Sequence, residues 1–338
     1  MAMKRIAVEE AFVTQEIADE WAKVLASRYV EPGFRMMGQT ILGDSPGTKM
    51  VHARLLDIGA GRIAHMDQTS IDVQVLSLTA PGVQVFDAVT ATALAAQSND
   101  RLSEAVRANP KRLAGLAAVA PNYPKGAAQE IERGVNALGL KGVIINSHTM
   151  GEYLDDQKYW PIFEAAESLD APIYLHPREP APSMVGPYLD YGLYFAGWGF
   201  AAETGLHVMR LIMSGVFDRF PKLMIVLGHM GEGLPFWLQR LDNRYLLQVK
   251  IGAVPKMRLL PSEYFLTNFV ISTSGVMSMP ALRLSLDVLG VDRIMFAADH
   301  PYESVEEGVA FLDGAAITED ERAKIYWRNA ERVFKLRS

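Results

Sequence analysis

Eight short, almost continuously apolar runs recur along the 338-residue chain, and this rhythm limits the possible folds more than any other feature. They are KRIAVE from Lys4, DVQVLSL from Asp72, LAGLAAV from Leu113, KGVIINS from Lys141, APIYLHP from Ala171, KLMIVLGH from Lys222, NFVISTS from Asn268 and DRIMFAAD from Asp292. Strands buried on both faces read this way, without the apolar–polar alternation of a half-solvated sheet. Between most of them lie amphipathic stretches at helical spacing, among them Ala91–Ala108, Gly126–Leu138, Tyr159–Leu169, Glu203–Phe217 and Met279–Leu289. Eight strands alternating with helices predict an α/β fold, a single (β/α)8 barrel domain spanning residues 1–338. A doubly wound sheet would place a glycine-rich phosphate loop after the first strand, and this chain has none there.

Two long excursions break the rhythm. Thr14–Lys49 follows the first strand and Arg178–Gly199 the fifth. Both leave from C-terminal strand ends, the face on which barrel active sites are built, so they are expected to form loops that wall a substrate pocket. Composition excludes other roles. A net charge of -6 argues against a nucleic-acid surface. No apolar run approaches the ~20 residues that span a bilayer. The absence of cysteine removes disulfides, thiolate nucleophiles and Cys-based metal sites. The opening MAMKRIAVEE has no apolar leader segment, so a cytoplasmic protein is expected.

Ligand-type residues sit where strands end. The first strand ends at Glu9, the fifth at His176, the sixth at His229 and the eighth at Asp299. A closed barrel brings such ends together around one axis. One imidazole with two carboxylates suits Mn, Zn or Mg. A cation would also explain why IAVEEAF carries acids at the emergence of a core strand, since an unpaired buried carboxylate is costly. Adjacent strand residues face opposite ways, so Glu9 would serve the metal and Glu10 would point elsewhere. Ala11 shares the face of Glu9 and supplies no second ligand. The fourth strand ends IINSH without a lysine to bridge two ions, so a mononuclear site is expected.

The segments VEEAF, LHPR, GHMGEGLP and AADHPYE, with TAPGVQ, SGVFDRFPKL and STSG, resemble the decarboxylase branch of the amidohydrolase superfamily over nearly the whole length. INSHTMGEYLDD is most similar to 5-carboxyvanillate decarboxylases, and HPREP to dihydroxybenzoate (gamma-resorcylate) decarboxylases. The resemblance implies an amidohydrolase-type barrel and non-oxidative decarboxylation of an ortho-hydroxylated aromatic acid. It also implies one divalent ion, usually Mn2+, held by Glu9, His176 and Asp299, and no organic cofactor. His229 and Glu232 would lie beside the substrate. Arg240, in WLQRLD, would reach it from a neighbouring subunit, implying a homodimer or homotetramer. One departure concerns the first excursion. Carboxyvanillate enzymes carry an arginine there, shortly after a Ser-Pro, whereas DSPGTKMVHAR places Lys49 nearest. Lysine does not grip a carboxylate bidentately.

Loss of CO2 from an aryl acid is eased when the carbon bearing the carboxylate is protonated first. Asp299 is the expected proton donor, with His229 tuning it or polarising the substrate oxygen. Phe12, Tyr188, Tyr194 or Trp198 would flank the ring. His207 and Glu203, one turn apart on a helix, read as a structural pair, His300 as structural, and His148 and Thr149 as pocket or loop residues. The rival reading is a metal-dependent hydrolase, lactonase-like, with Asp299 as base. A third is a non-catalytic metal-binding protein.

Overall fold

In the computed structural model, which describes residues 3–336, the apolar runs form nine parallel strand segments. They are β1 (Ile6–Phe12), β2 (Val73–Leu78), β3 (Leu113–Gly115), β4 (Ala117–Ala118), β5 (Val143–Asn146), β6 (Ile173–His176), β7 (Ile225–Leu227), β8 (Phe269–Ser272) and β9 (Ile294–Met295). β1–β2–β3 pair in order, as do β4 to β9. The third predicted strand is therefore one stave broken at Leu116. It is still bonded on both sides, through Leu116 N to Leu76 O at 2.9 Å and Ala117 N to Gly142 O at 2.8 Å. Closure comes from Val8 N to Phe296 O at 3.1 Å and Ala11 N to His300 O at 2.8 Å, which tie β1 to the segment after β9. The result is the eight-staved closed barrel expected from the sequence. Its interior and the helix–sheet layer hold one apolar cluster running from Ile6 to Phe334.

The helices sit close to their expected positions, with informative differences. The stretch Glu203–Phe217 is two helices, Gly199–Met213 and Val216–Arg219, separated by Gly215 at φ +84°. A left-handed residue cannot continue an α-helix, and glycine takes that conformation without a Cβ clash. The first excursion is not a loop but three helices, Gln15–Ala26, Pro32–Leu42 and Pro46–Leu56. Thr14 and Ser45 cap two of them by accepting from Ile17 N and Thr48 N, and proline opens the last two at the position where its missing N–H costs nothing. The second excursion carries only short helical turns, Gly186–Tyr188 and Asp190–Gly192. Both cover the C-terminal mouth of the barrel, where β1 and β6 end.

Candidate active site

Glu9 is buried near the end of β1, and its two oxygens have different fates. Oε2 accepts from the hydroxyls of Tyr174 and Ser272, the latter at 2.8 Å. Oε1 has no hydrogen-bond partner among the described residues. It faces His176 Nε2 at 3.5 Å and His229 Nε2 at 3.7 Å. Burial opposes ionisation of Glu9, yet the charges of His229 and His176 and the two hydroxyl bonds outweigh it and hold the carboxyl below its usual range. A buried anionic oxygen left without a donor is what a cation ligand looks like before the cation arrives.

His176, the last residue of β6, points its Nδ1 at the carbonyl of Pro177, 2.8 Å away. That bond places the proton on Nδ1 and leaves the Nε2 lone pair aimed at Glu9. Burial, only partly opposed by Glu9, lowers the imidazole to about 4, so it is neutral and able to ligate at pH 7. Asp299 follows β9 with φ +63°. Burial raises its carboxyl to about 6, the bond from His229 opposes this, and the charge of Glu9 adds to it. A bound cation would pull it down again. Ligand atoms of Glu9, His176 and Asp299 all lie within 4.8 Å of one another, so these residues can hold one ion while leaving positions open.

His229 stands at the centre of the polar contacts. Its Nδ1 donates to Glu232 Oε1 at 2.8 Å, and its Nε2 lies 3.6 Å from Asp299 Oδ2. Burial resists its charge, but Glu232 and Glu9 overcome this and raise the imidazole well above its ordinary value. The backbone that carries it is strained. His229, Met230 and Glu232 have φ of +51°, +54° and +54°. Non-glycine residues adopt this region at a cost, and such segments persist where surrounding packing forces them. Gly228 answers a different demand, because a Cβ there would come within 2.5 Å of Glu9 Oε1. GHMGEG is thus the tight turn that brings His229 and Glu232 over the acid of β1.

A cavity of about 260 Å³ opens on His176, His229 and Asp299. Its remaining walls include Met37 and Ile41 of helix Pro32–Leu42, Val51 of helix Pro46–Leu56, and Phe195 and Phe200 after β6. Several residues named from the sequence do not line it, and Arg240, expected to serve a neighbouring subunit, is among them. Phe12 is packed in the core, 1% exposed. Lys49 is on the surface with Nζ 3.1 Å from Asp44, because its helical position turns it outward while Val51 turns in. Arg240 is exposed on helix Leu234–Lys250 and does not line the cavity of its own chain. Nor do Tyr188, Tyr194 or Trp198; the aromatic residues of the wall are Phe195, Phe200 and Tyr302.

Other residues behave as their surroundings require. Glu10 is fully buried in the barrel wall, accepting from Ala298 N at 3.0 Å and Gln74 at 3.2 Å, and desolvation raises it to about 8. His300 packs against His65 with ring centroids 4.7 Å apart and the rings tilted by 42°. His148 bonds the Glu179 carbonyl and Gly151 N, which makes it a loop anchor. His207 and Glu203 are not directly bonded, since Ser147 stands between them at 3.1 and 3.3 Å. Sequence reading missed Tyr174 and Ser272, although Tyr174 lies two residues before His176 and so on its face of the strand. It also missed Thr79 and Tyr302, whose hydroxyls meet at 2.6 Å in the cavity wall, and Glu303 beside them.

The amidohydrolase family model matches residues 50–336. A gamma-resorcylate decarboxylase of Polaromonas sp. is 37% identical over 341 residues, covering 98% of each chain. The structure of a 5-carboxyvanillate decarboxylase from Sphingomonas paucimobilis superposes with a TM-score of 0.96 at 44% identity, covering 99% of this chain and 100% of that one. A second such decarboxylase, from Novosphingobium aromaticivorans with manganese and 4-hydroxy-3-methoxy-5-nitrobenzoic acid bound, gives 0.96 at 40% identity over 99% and 97% of the two chains. A closed parallel barrel, a strand-end ligand set and likeness over the full length agree: this chain belongs to the amidohydrolase family.

Proposed function

We propose that the protein is a metal-dependent carboxy-lyase that removes CO2, without oxidation, from an ortho-hydroxylated aromatic carboxylic acid. The observation that carries this reading is the unpartnered Glu9 Oε1, gathered with His176 and Asp299 beneath a ring-sized cavity. Glu9, His176 and Asp299 would hold the ion, manganese as in the related structures. When bound, it would polarise the carboxylate and neighbouring phenolic oxygen and hold the ring in register.

The side chains then have separable tasks. Asp299, at the cavity floor, donates a proton to the ring carbon bearing the carboxylate. His229 lies between Asp299 and Glu232, and its positive charge favours the negative charge left on Asp299 once its proton has moved to the ring. The C–C electron pair returns to the ring as CO2 leaves, so one proton is consumed for each carboxylate lost. Phe195, Phe200 and the two lid helices keep bulk water from the reacting carbon.

A homodimer or homotetramer in which Arg240 reaches a neighbour's cavity belongs to the same proposal. It is supported by the helix that bears Arg240, whose Phe236 and Leu247 are 69% and 45% exposed on the same stripe, with Trp237 50% exposed beside them. A cytoplasmic location completes it. Among the described residues no helix is long and apolar enough to cross a membrane.

The test joins metal analysis to an ultraviolet screen of ortho-hydroxybenzoates. Roughly one divalent ion per chain is expected, with CO2 release and, in deuterated water, one deuterium at the vacated ring carbon. Opening of a lactone or amide without CO2 would replace this reading with hydrolysis, Asp299 then acting as a base.

A further inference from the structure

The cavity divides by origin. Its floor comes from strand ends and carries His176, His229 and Asp299, whereas its roof comes from the two excursions and the helices that close them. Apart from the exposed Thr40, that roof is apolar: Met37, Ile41, Val51, Phe195 and Phe200. Among the lining residues there is no lysine or arginine. Lys49, in the first excursion, is 64% exposed and paired with Asp44. The hydroxyls of Thr79 and Tyr302 are engaged with each other. The charged side chain left beside the roof is Glu303, an anion.

We infer that the substrate carries a single carboxylate, the one that departs, and an apolar group, alkyl or alkoxy, on the opposite ring edge. This rests on the decarboxylase reading. A ring anchored at the floor through adjacent carboxylate and phenolic oxygens turns its far edge towards the roof. Space limits the choice, since about 150 Å³ encloses benzene and the cavity of about 260 Å³ leaves room for small substituents on one ring. Charge limits it further. A second carboxylate at the far edge would exchange water for methyl and phenyl groups and sit near Glu303, and burying an unpaired charge is strongly unfavourable. The metal and the floor would hold the departing carboxylate, and the cavity's own lining supplies no cation for a second. This separates the chain from relatives named for 5-carboxyvanillate, a diacid.

Two inert ligands test the inference on the manganese-loaded protein by calorimetry. In 4-hydroxy-3-methoxy-5-nitrobenzoate and 2-methoxy-4-methyl-6-nitrophenol a nitro group stands in for the departing carboxylate. They differ only in carboxylate against methyl at the far edge. The methyl compound is expected to bind at least tenfold more tightly. In turnover, 2-hydroxy-3-methoxy-5-methylbenzoate is expected to exceed 5-carboxyvanillate at least tenfold in kcat/KM. Thr40→Arg, at an exposed lining position, should shift the binding preference at least tenfold towards the carboxylate. Equal or tighter binding of the nitrobenzoate by the unaltered protein, or a preference unmoved by Thr40→Arg, overturns the inference and leaves the decarboxylase reading standing. If neither ligand binds and no ortho-hydroxybenzoate loses CO2, the decarboxylase reading falls and the inference with it.

Discussion

In the proposed reaction Asp299 both holds a cation and gives a proton, and one substitution separates the tasks. Asparagine keeps a ligand oxygen but has no acidic proton. Asp299→Asn is therefore expected to fold, retain part of its metal, and lose at least a thousandfold in kcat, equivalent to about 4 kcal/mol of barrier. Steady-state rates with metal analysis on the same sample check it. His207 makes a different prediction. Its Nε2 accepts from Leu154 N at 3.0 Å, so its Nδ1 carries the proton towards Ser147. An added proton would set N–H against N–H. Burial, helped by Arg210, lowers this imidazole from 6.5 to about 3. The unfolded chain thus binds a proton that the folded one refuses. The contribution of His207 to stability is complete above pH 6.5 and is lost as pH falls towards 3, at up to about 1.4 kcal/mol per pH unit. Urea titrations across that window should show a shallower pH slope for His207→Gln than for the parent.

At the level of elements, the lid helix Pro32–Leu42 is held by charge. Arg178, fully buried two residues after His176, donates to Glu31 at 2.7 Å, to Glu179, and to the His148 carbonyl at 3.3 Å. Glu31 immediately precedes the helix that brings Met37 and Ile41 to the cavity. One guanidinium therefore joins the segment that follows His176 to the wall of the cavity. Arg178→Met would leave two acids unpaired, one of them fully buried, and is expected to cost about 3–5 kcal/mol. Equilibrium denaturation measures that cost, and a raised KM in the folded fraction would report displacement of the lid. The HPREP motif showed a family likeness, but its pairing with Glu31 spans 147 positions and is invisible to local reading. Read as a loop, the first excursion nevertheless carries helix signals at Thr14, Pro32, Ser45 and Pro46, and these are local.

For the whole molecule, we propose one domain, supported by the single apolar cluster that spans Ile6 to Phe334, and an assembly in which copies complete each other. Arg240→Ala should lower activity without removing metal. Mixing it with Asp299→Asn chains should restore part of the activity, because a hybrid dimer contains one pocket with both residues intact. Activity assays on dimers shown by mass spectrometry to be mixed decide it, and no recovery would confine Arg240 to its own chain or to the surface. The barrel was legible because strands buried on both faces must be apolar throughout, and that signature is local and repeated eight times. Glu9, His176, His229 and Asp299 were legible for a related reason: ligand-type residues at apolar strand ends have nowhere to go but the mouth of a closed barrel. The outward turn of Lys49, the burial of Phe12 and the paired hydroxyls on Glu9 Oε2 were not. Each depends on helix rotation or on the meeting of strands 98 to 263 positions apart, and such meetings exist only once the barrel has closed.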